Sequence, residues 1–199
     1  GIALIIVYLL SERFSIDEYS LKNYNSICQR EKLKDIQRKG FFSDKYLVKQ
    51  WVAKNIPYIK LSKTYFISKD LNKLRSFLKQ SKLKKFVLKS TQASGMTTVV
   101  NKRSNYSTNE LVKIADEYLH TCKQCETQPH YNYNDPKIMI EEFLDENIKD
   151  YKFHLMDGKI KAIQVDSDRF NDHCRNFYDD NFNHLSIKKY ISKCSSLDI

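Results

Sequence analysis

The sequence predicts an α+β fold with antiparallel sheets, on three observations. Segments of helical apolar spacing follow side chains that cap helix N-termini, short β-branched or aromatic runs have strand length, and Asp157-Gly158 sits between two alternating segments. An Asp-Gly pair forms the tight turn that joins antiparallel neighbours. Ser43 and Asp44 are placed to cap a helix running to about residue 55, with Leu47, Val48, Trp51 and Val52 at helical spacing and Lys45 in the first turn. Residues 58–67 alternate and read as a strand, after which Asp70 caps a helix to about residue 80. Phe86, Val87 and Leu88 are consecutive apolar residues of a buried strand over 85–91 that carries Lys89 near its end. A small polar loop, residues 90–95, leads into a returning strand over 96–100; the amides and hydroxyls of such a turn can hold phosphate oxygens. Residues 107–125 read as an amphipathic helix capped by Ser107 or Thr108, with Leu111, Val112, Ile114, Ala115, Tyr118 and Leu119 on its apolar face. A loop rich in Tyr and Asn reaches Pro136, and residues 137–144 form a strand that runs into two acids. Strands over 151–156 and 159–166 flank the Asp157-Gly158 turn, and 175–178 with 182–187 form a further hairpin.

Composition narrows the classes. The 199 residues are 41% hydrophobic and 13% aromatic, enough for one domain core or two small lobes, and 4 Gly and 3 Pro exclude collagen-like and linker-like chains. The longest apolar run, residues 2–10, falls short of the ~20 needed to span a bilayer, although the chain opens on Gly1 and a preceding extension would lengthen it. Cys28, Cys122, Cys125, Cys174 and Cys194 are odd in number and do not space as a disulfide framework, so a reducing, cytoplasmic compartment is expected. The net charge of +10 is unevenly spread: +2 over 1–40, +12 over 41–110 and −4 over 111–199. That split suits an anionic ligand on one lobe and a metal or hydrogen-bond acceptors on the other. The basic block lacks a helix-turn-helix, RNA-recognition or zinc-finger signature, so no nucleic-acid partner is expected.

Lys45, Lys89, Ser94, Gly95, Glu141, Glu142, Asp150, Lys152, Asp166, Asp168 and Arg169 are the polar residues that interrupt or end the apolar strands. Strand-end lysines suit phosphates, and strand-end acids suit an adenine amino group, a ribose hydroxyl or Mg²⁺. Each alone is more often a solvated strand-end charge; their order carries the argument.

That order resembles the ATP-grasp superfamily, and more closely its teichuronopeptide-biosynthesis, TupA-like branch. The residues carrying the likeness are FFSDKYLVKQWV (41–52), KKFVLKSTQASG (84–95), KIMIEEFL (137–144), DYKFHLMDGKIKAIQVDSDRF (150–170) and RNFYD (175–179), within a span of about 14–187. The resemblance implies an ATP-grasp-like fold of two lobes with antiparallel sheets: an N-terminal segment at 1–40, a basic nucleotide-covering lobe at 41–136 and a partial C-terminal lobe at 137–199. It implies that Lys45 and Lys89 contact the phosphates of ATP while the loop with Ser94 and Gly95 folds over them. Phe143 and Leu144 backbone and one of Glu141 and Glu142 would face adenine, and Asp150 would meet the ribose. Lys152 and Arg169 would act on the reacting groups, with Asp166 and Asp168 as Mg²⁺ ligands. The implied reaction is ligation of a carboxylate to an amine through an acyl-phosphate, decorating a sugar-polymer acceptor, in peripheral association with membrane-bound polysaccharide machinery. The pattern departs at the end of the chain, where residues 186–199 carry no Glu-x-Asn-like metal motif. The C-terminal lobe is therefore expected to be incomplete, in a fragment or in a remnant that binds nucleotide without turnover.

Three rival readings remain in the residues. Cys122 and Cys125, with His120 and His130, have a zinc-like spacing but close an amphipathic helix. Asp166 and Asp168 form an Asp-x-Asp of the kind nucleotide-sugar glycosyltransferases use. His154, His173 and His184 lack a nucleophile elbow, which leaves a hydrolase triad without support.

Overall fold

The computed structural model describes residues 32, 34–121, 128–145, 148–168 and 172–187. The chain divides into two compact units, one ending at Phe143 and one starting at Leu144.

The first unit contains α1 (Ile36–Ser43), α2 (Lys45–Asn55), β1 (Thr64–Ser68), α3 (Leu71–Gln80), β2 (Phe86–Ser90), β3 (Thr97–Val100), α4 (Thr108–His120) and β4 (Ile138–Glu141). Short 3-10 turns lie at Arg103–Asn105 and Pro129–Tyr133. Three helix starts are set by side chains the sequence singles out. Asp44 accepts from the amides of Tyr46 and Leu47, Asp70 from those of Asn72 and Lys73, and Ser107 forms a reciprocal capping box with Glu110.

Its sheet is antiparallel throughout, in the order β1-β4-β2-β3. The last strand in sequence lies between two earlier ones, and Ile138, Met139 and Ile140 are accordingly inaccessible. Leu74 and Leu78 of α3 and Leu111, Val112 and Ala115 of α4 pack on Phe86, Leu88, Ile138 and Ile140. Each such Leu, Ile or Phe contributes about 1.5–3 kcal/mol by leaving water. Because strand side chains alternate, Val87 and Lys89 point to the opposite face, where their register partners Glu141 and Met139 also lie. This alternation puts a lysine and a glutamate side by side.

Several expectations need correction. The strand expected over 58–67 starts only at Thr64: Ile59 donates to the Ile56 carbonyl in a turn around Pro57, and Tyr58, Ile59 and Leu61 are exposed. Helix α1 crosses the expected 40/41 boundary and packs on the Pro129–Tyr133 turn, where a Cβ on Gly40 would lie 3.0 Å from the His130 carbonyl oxygen. The division falls after Phe143 rather than at 136/137, since β4 hydrogen-bonds to β1 and β2 of the first unit. Helix α4 closes on Thr121, and Cys122 and Cys125 lie outside the described residues.

The second unit is an antiparallel meander of β5 (Asp150–Met156), β6 (Lys159–Ser167), β7 (Cys174–Tyr178) and β8 (His184–Leu185). Asp157 and Gly158 take φ of 52° and 72°, as the hairpin turn requires. β8 is shorter than the 182–187 expected, because Phe182 has a φ of 61° and the Asp179 carboxylate holds the amides of Asn181 and Asn183 in the turn. Ile163, Val165 and Tyr178 form a small core on one face. Lys152, Gln164, Asp166 and Arg175 share the other, by the pairings Lys152 with Gln164 and Asp166 with Arg175.

Cys174, the one cysteine among the described residues, is disulfide-bonded, against the expectation of reduced thiols. Among the described residues no helix is long and apolar enough to cross a membrane. Residues 188–199, on which the expected incompleteness turns, lie outside the described residues.

Candidate functional site

The cap at Asp44 decides where α2 begins, and Lys45 and Lys49, one turn apart, then project from one face. Lys45 Nζ donates to the carbonyl oxygens of Ala93 at 2.7 Å, Gln92 at 3.2 Å and Thr91 at 3.5 Å. Its backbone amide also donates to Thr91, so helix start and loop are tied twice. Burial, then the charge of Lys89, pushes the Lys45 ammonium down to about 8. Lys49 donates to Glu141 Oε1 at 2.5 Å, to Thr64 Oγ1 at 3.0 Å and to Ser62 Oγ at 3.1 Å. Lys89 pairs with Glu141 Oε2. Burial pushes the Glu141 carboxyl up, but hydrogen bonds and charge from Lys49 and Lys89 outweigh it and hold the group below the usual carboxylate range. Two ammonium groups, those of Lys49 and Lys89, thus pair with one carboxylate, while Lys45 is held on the 91–93 carbonyls.

The 90–95 loop is buried through Ala93, while Ser94 and Gly95 are exposed. Ala93 and Gly95 take φ of 59° and 80°, which turn the chain sharply, and Gly95 has open space around its Cα. Ser90 Oγ is buried without a hydrogen-bond partner.

The neighbouring strand end answers one expectation differently. Glu141 is ion-paired to two lysines, and Glu142 is held by Lys63: its amide donates to the Lys63 carbonyl at 2.8 Å and its carboxylate accepts from the Lys63 amide at 3.0 Å. Glu141, ion-paired through both oxygens, is not a free acceptor for an adenine amino group in this arrangement, whereas Glu142 is engaged through Oε2 alone. The Phe143 ring lies 5.3 Å from Lys85 Nζ, and Leu144 is exposed.

The second unit gathers its polar residues around Asp166, which is inaccessible to solvent. Oδ2 accepts from Gln164 at 2.8 Å and Lys152 at 2.9 Å, and Oδ1 accepts from Arg175 Nε and lies 3.2 Å from His173 Nε2. Burial pushes this carboxyl up, yet the bonds from Arg175, Lys152, Gln164 and His173 hold it far below its usual range. Asp150, opposite Asp166 in register, places its carboxylate 3.6 Å from Lys152 Nζ. Asp168 is exposed just past β6 with a φ of 50°, and Arg169 lies outside the described residues.

This arrangement does not fit the Mg²⁺ role expected for Asp166. A carboxylate with both oxygens doubly occupied by cationic or amide donors has no direction left for a metal. Among the described residues, no three His, Cys, Asp or Glu side chains gather to hold one.

Lys49, Gln164, His173 and Arg175 were absent from the expected site. The i,i+4 spacing of Lys45 and Lys49 pointed to the first, and the two-residue spacing of Gln164 and Asp166 along one strand face to the second. Only cross-strand register reveals the other two.

Strand-end lysines around a small-residue loop on one antiparallel sheet, followed by a second antiparallel sheet, are the layout of an ATP-grasp protein. The sequence model of the TupA-like ATPgrasp family matches residues 25–197, and the chain belongs to that family. No curated protein and no solved structure matches it.

Proposed function

We propose that this chain is an ATP-dependent carboxylate–amine ligase acting in cell-surface polysaccharide or teichuronopeptide biosynthesis. The observation that carries the nucleotide part is the pairing of Lys49 and Lys89 with the single carboxylate of Glu141, next to a third ammonium, Lys45, held on the neutral 91–93 carbonyls. Its excess positive charge beside an exposed Ser94-Gly95 tip suits a polyphosphate. Lys45 rests on neutral carbonyl dipoles, which phosphate oxygens replace favourably because charge-assisted hydrogen bonds are stronger. Family membership supports ATP as the ligand.

In the proposed reaction a substrate carboxylate oxygen attacks the terminal phosphorus of ATP and ADP leaves. The amine then attacks the acyl-phosphate carbonyl, forming the amide and releasing phosphate and a proton. Lys89 and Lys45 offset phosphate charge, Asp150 takes the ribose, and Lys152 faces the reacting groups. The family also implies Mg²⁺, but no step here is assigned to it, since the described acids do not offer a fitting donor set. A cytoplasmic location beside membrane-bound polysaccharide machinery belongs to the same reading. The glycosyltransferase alternative draws no support from Asp166, whose oxygens are occupied.

Calorimetric titration of ATP into the full chain and into Lys89→Ala, each with and without Mg²⁺, tests the reading. Binding by the full chain that weakens at least about tenfold in Lys89→Ala is expected, the size of one charge-assisted contact. Absence of ATP binding by the full chain under both conditions would overturn it.

A further inference from the structure

Exposed apolar side chains crowd one short stretch of the first unit. Phe41 and Phe42 of α1 and Trp51 of α2 form an edge-to-face chain, with ring centroids 5.2 and 5.6 Å apart, yet all three remain exposed. The turn that follows α2 then presents Tyr58, 85% exposed, with Ile59 and Leu61. Surface turns ordinarily carry Gly, Asn, Asp or Ser. This one is closed by the Ile59 amide donating to the Ile56 carbonyl at 3.1 Å, so its tyrosine and isoleucine are held out in water. Single exposed apolar residues are ordinary, but several together mark a surface that something covers.

The charge says what covers them. Between Asp44 and Asp70 the chain carries six lysines and no acid. Lys45 is held on the 91–93 carbonyls, Lys49 on Glu141 and Lys69 on Asp135. Lys54, Lys60 and Lys63 are exposed and have no acidic partner among the described residues. Aromatic and aliphatic side chains flanked by lysines on long flexible stems fit the interface of a bilayer, where rings enter the headgroup region and ammonium groups meet anionic phosphates. A second copy of the chain fits less well, because it would bring like charges against these lysines.

We propose that the turn at 57–61 docks on an anionic lipid bilayer, inserting Tyr58 and Ile59 while Lys54, Lys60 and Lys63 meet the headgroups, with Phe42 and Trp51 at the rim of the contact. This gives the membrane association of the ligase reading a surface on this chain.

The full chain and the double variant Tyr58→Ser, Ile59→Ser are sedimented with mixed phosphatidylglycerol and phosphatidylcholine vesicles, and with phosphatidylcholine vesicles alone. A net charge of +10 draws either protein to an anionic surface, and these substitutions leave that charge unchanged. The full chain is expected to bind the anionic vesicles at least about tenfold more tightly than the double variant, which has lost two side chains to bury, and to bind the neutral vesicles weakly. Trp51 is the single tryptophan of the chain, so its emission reports this face in the unaltered protein and is expected to shift to the blue on the anionic vesicles. Equal affinity of the two proteins for anionic vesicles, equal binding of the full chain to neutral ones, or an unshifted Trp51 emission overturns the proposal. A lipid-free dimer that the double variant dissociates assigns the face to a second copy and overturns it equally. Vesicle binding without ATP binding removes the ligase reading alone, and ATP binding without vesicle binding removes this inference alone.

Discussion

Replacing Glu141 by Gln keeps the shape of a buried side chain and deletes the charge that two lysines share. Glu141 is 7% exposed, Lys49 15% and Lys89 21%. Breaking a fully buried pair costs about 3–5 kcal/mol, and an exposed one contributes about 0–1 kcal/mol. The lysines retain some access to water, so an intermediate loss of about 2–3 kcal/mol is expected for Glu141→Gln. For a chain of this size that lowers the melting temperature by about 5–10 °C. The pH dependence follows from the lowered carboxyl value: the stabilisation is complete above the unfolded value and is lost as pH falls through the folded one. The gap between the two proteins is therefore widest at neutral pH and closes on acidification. Pyrophosphate affinity is expected to move the other way and tighten, because Lys49 and Lys89 lose their competing counter-charge. Thermal melts by circular dichroism between pH 2 and 8, paired with calorimetry, read both. An unchanged melting temperature at pH 7, or a pH-independent difference, refutes the argument that this ion pair is net stabilising.

Two other consequences concern the charged groups on either unit. Lys45, with its ammonium lowered to about 8, should hold polyphosphate well at pH 7 and progressively less as pH rises through 8, with proton uptake on binding near that pH. Its folded value lies below its unfolded one, so its charged form opposes folding below about 8, and that opposition is relieved as pH climbs toward 10.5. Calorimetry in buffers of different ionisation heat checks this, Lys45→Arg should flatten the binding profile, and a wild-type affinity equal at pH 7 and pH 9 would contradict it. Asp166→Asn leaves Arg175 and Lys152 without their shared counter-charge and should cost about 3 kcal/mol in urea unfolding of the second unit, at the low end for buried pairs because Lys152 reaches water. The lowered Asp166 carboxyl contributes above its unfolded value and fades only as pH falls through the folded one, so the loss should persist across neutral and mildly acidic pH. Mn²⁺ binding in the absence of nucleotide should be the same in wild type and Asp166→Asn; dependence on Asp166 would show that the carboxylate is a metal ligand after all.

What was legible in the sequence was mostly local. Asp44, Asp70 and Ser107 cap helices where they were expected to, and Asp157-Gly158 makes its turn, because caps and tight turns are decided within a few residues. The strand cores at Phe86 and Ile138 were equally visible as apolar runs. Helix α1 was not, since its sequence IQRKGFFS has weak helical character and Gly40 serves a contact with a turn far along the chain.

By itself, then, the sequence determined the α+β class, the cap and turn positions, the basic block and the family motifs, all carried by short-range pattern. Tertiary structure alone decided that β4 pairs between β1 and β2, which turns Glu141 into the counter-ion of Lys49 and Lys89. It also decided that the register of β5, β6 and β7 surrounds Asp166 with donors. The physical reason is common to both sites: the charge state and role of a buried carboxylate depend on which distant strand supplies its donors, and strand order and register are long-range properties.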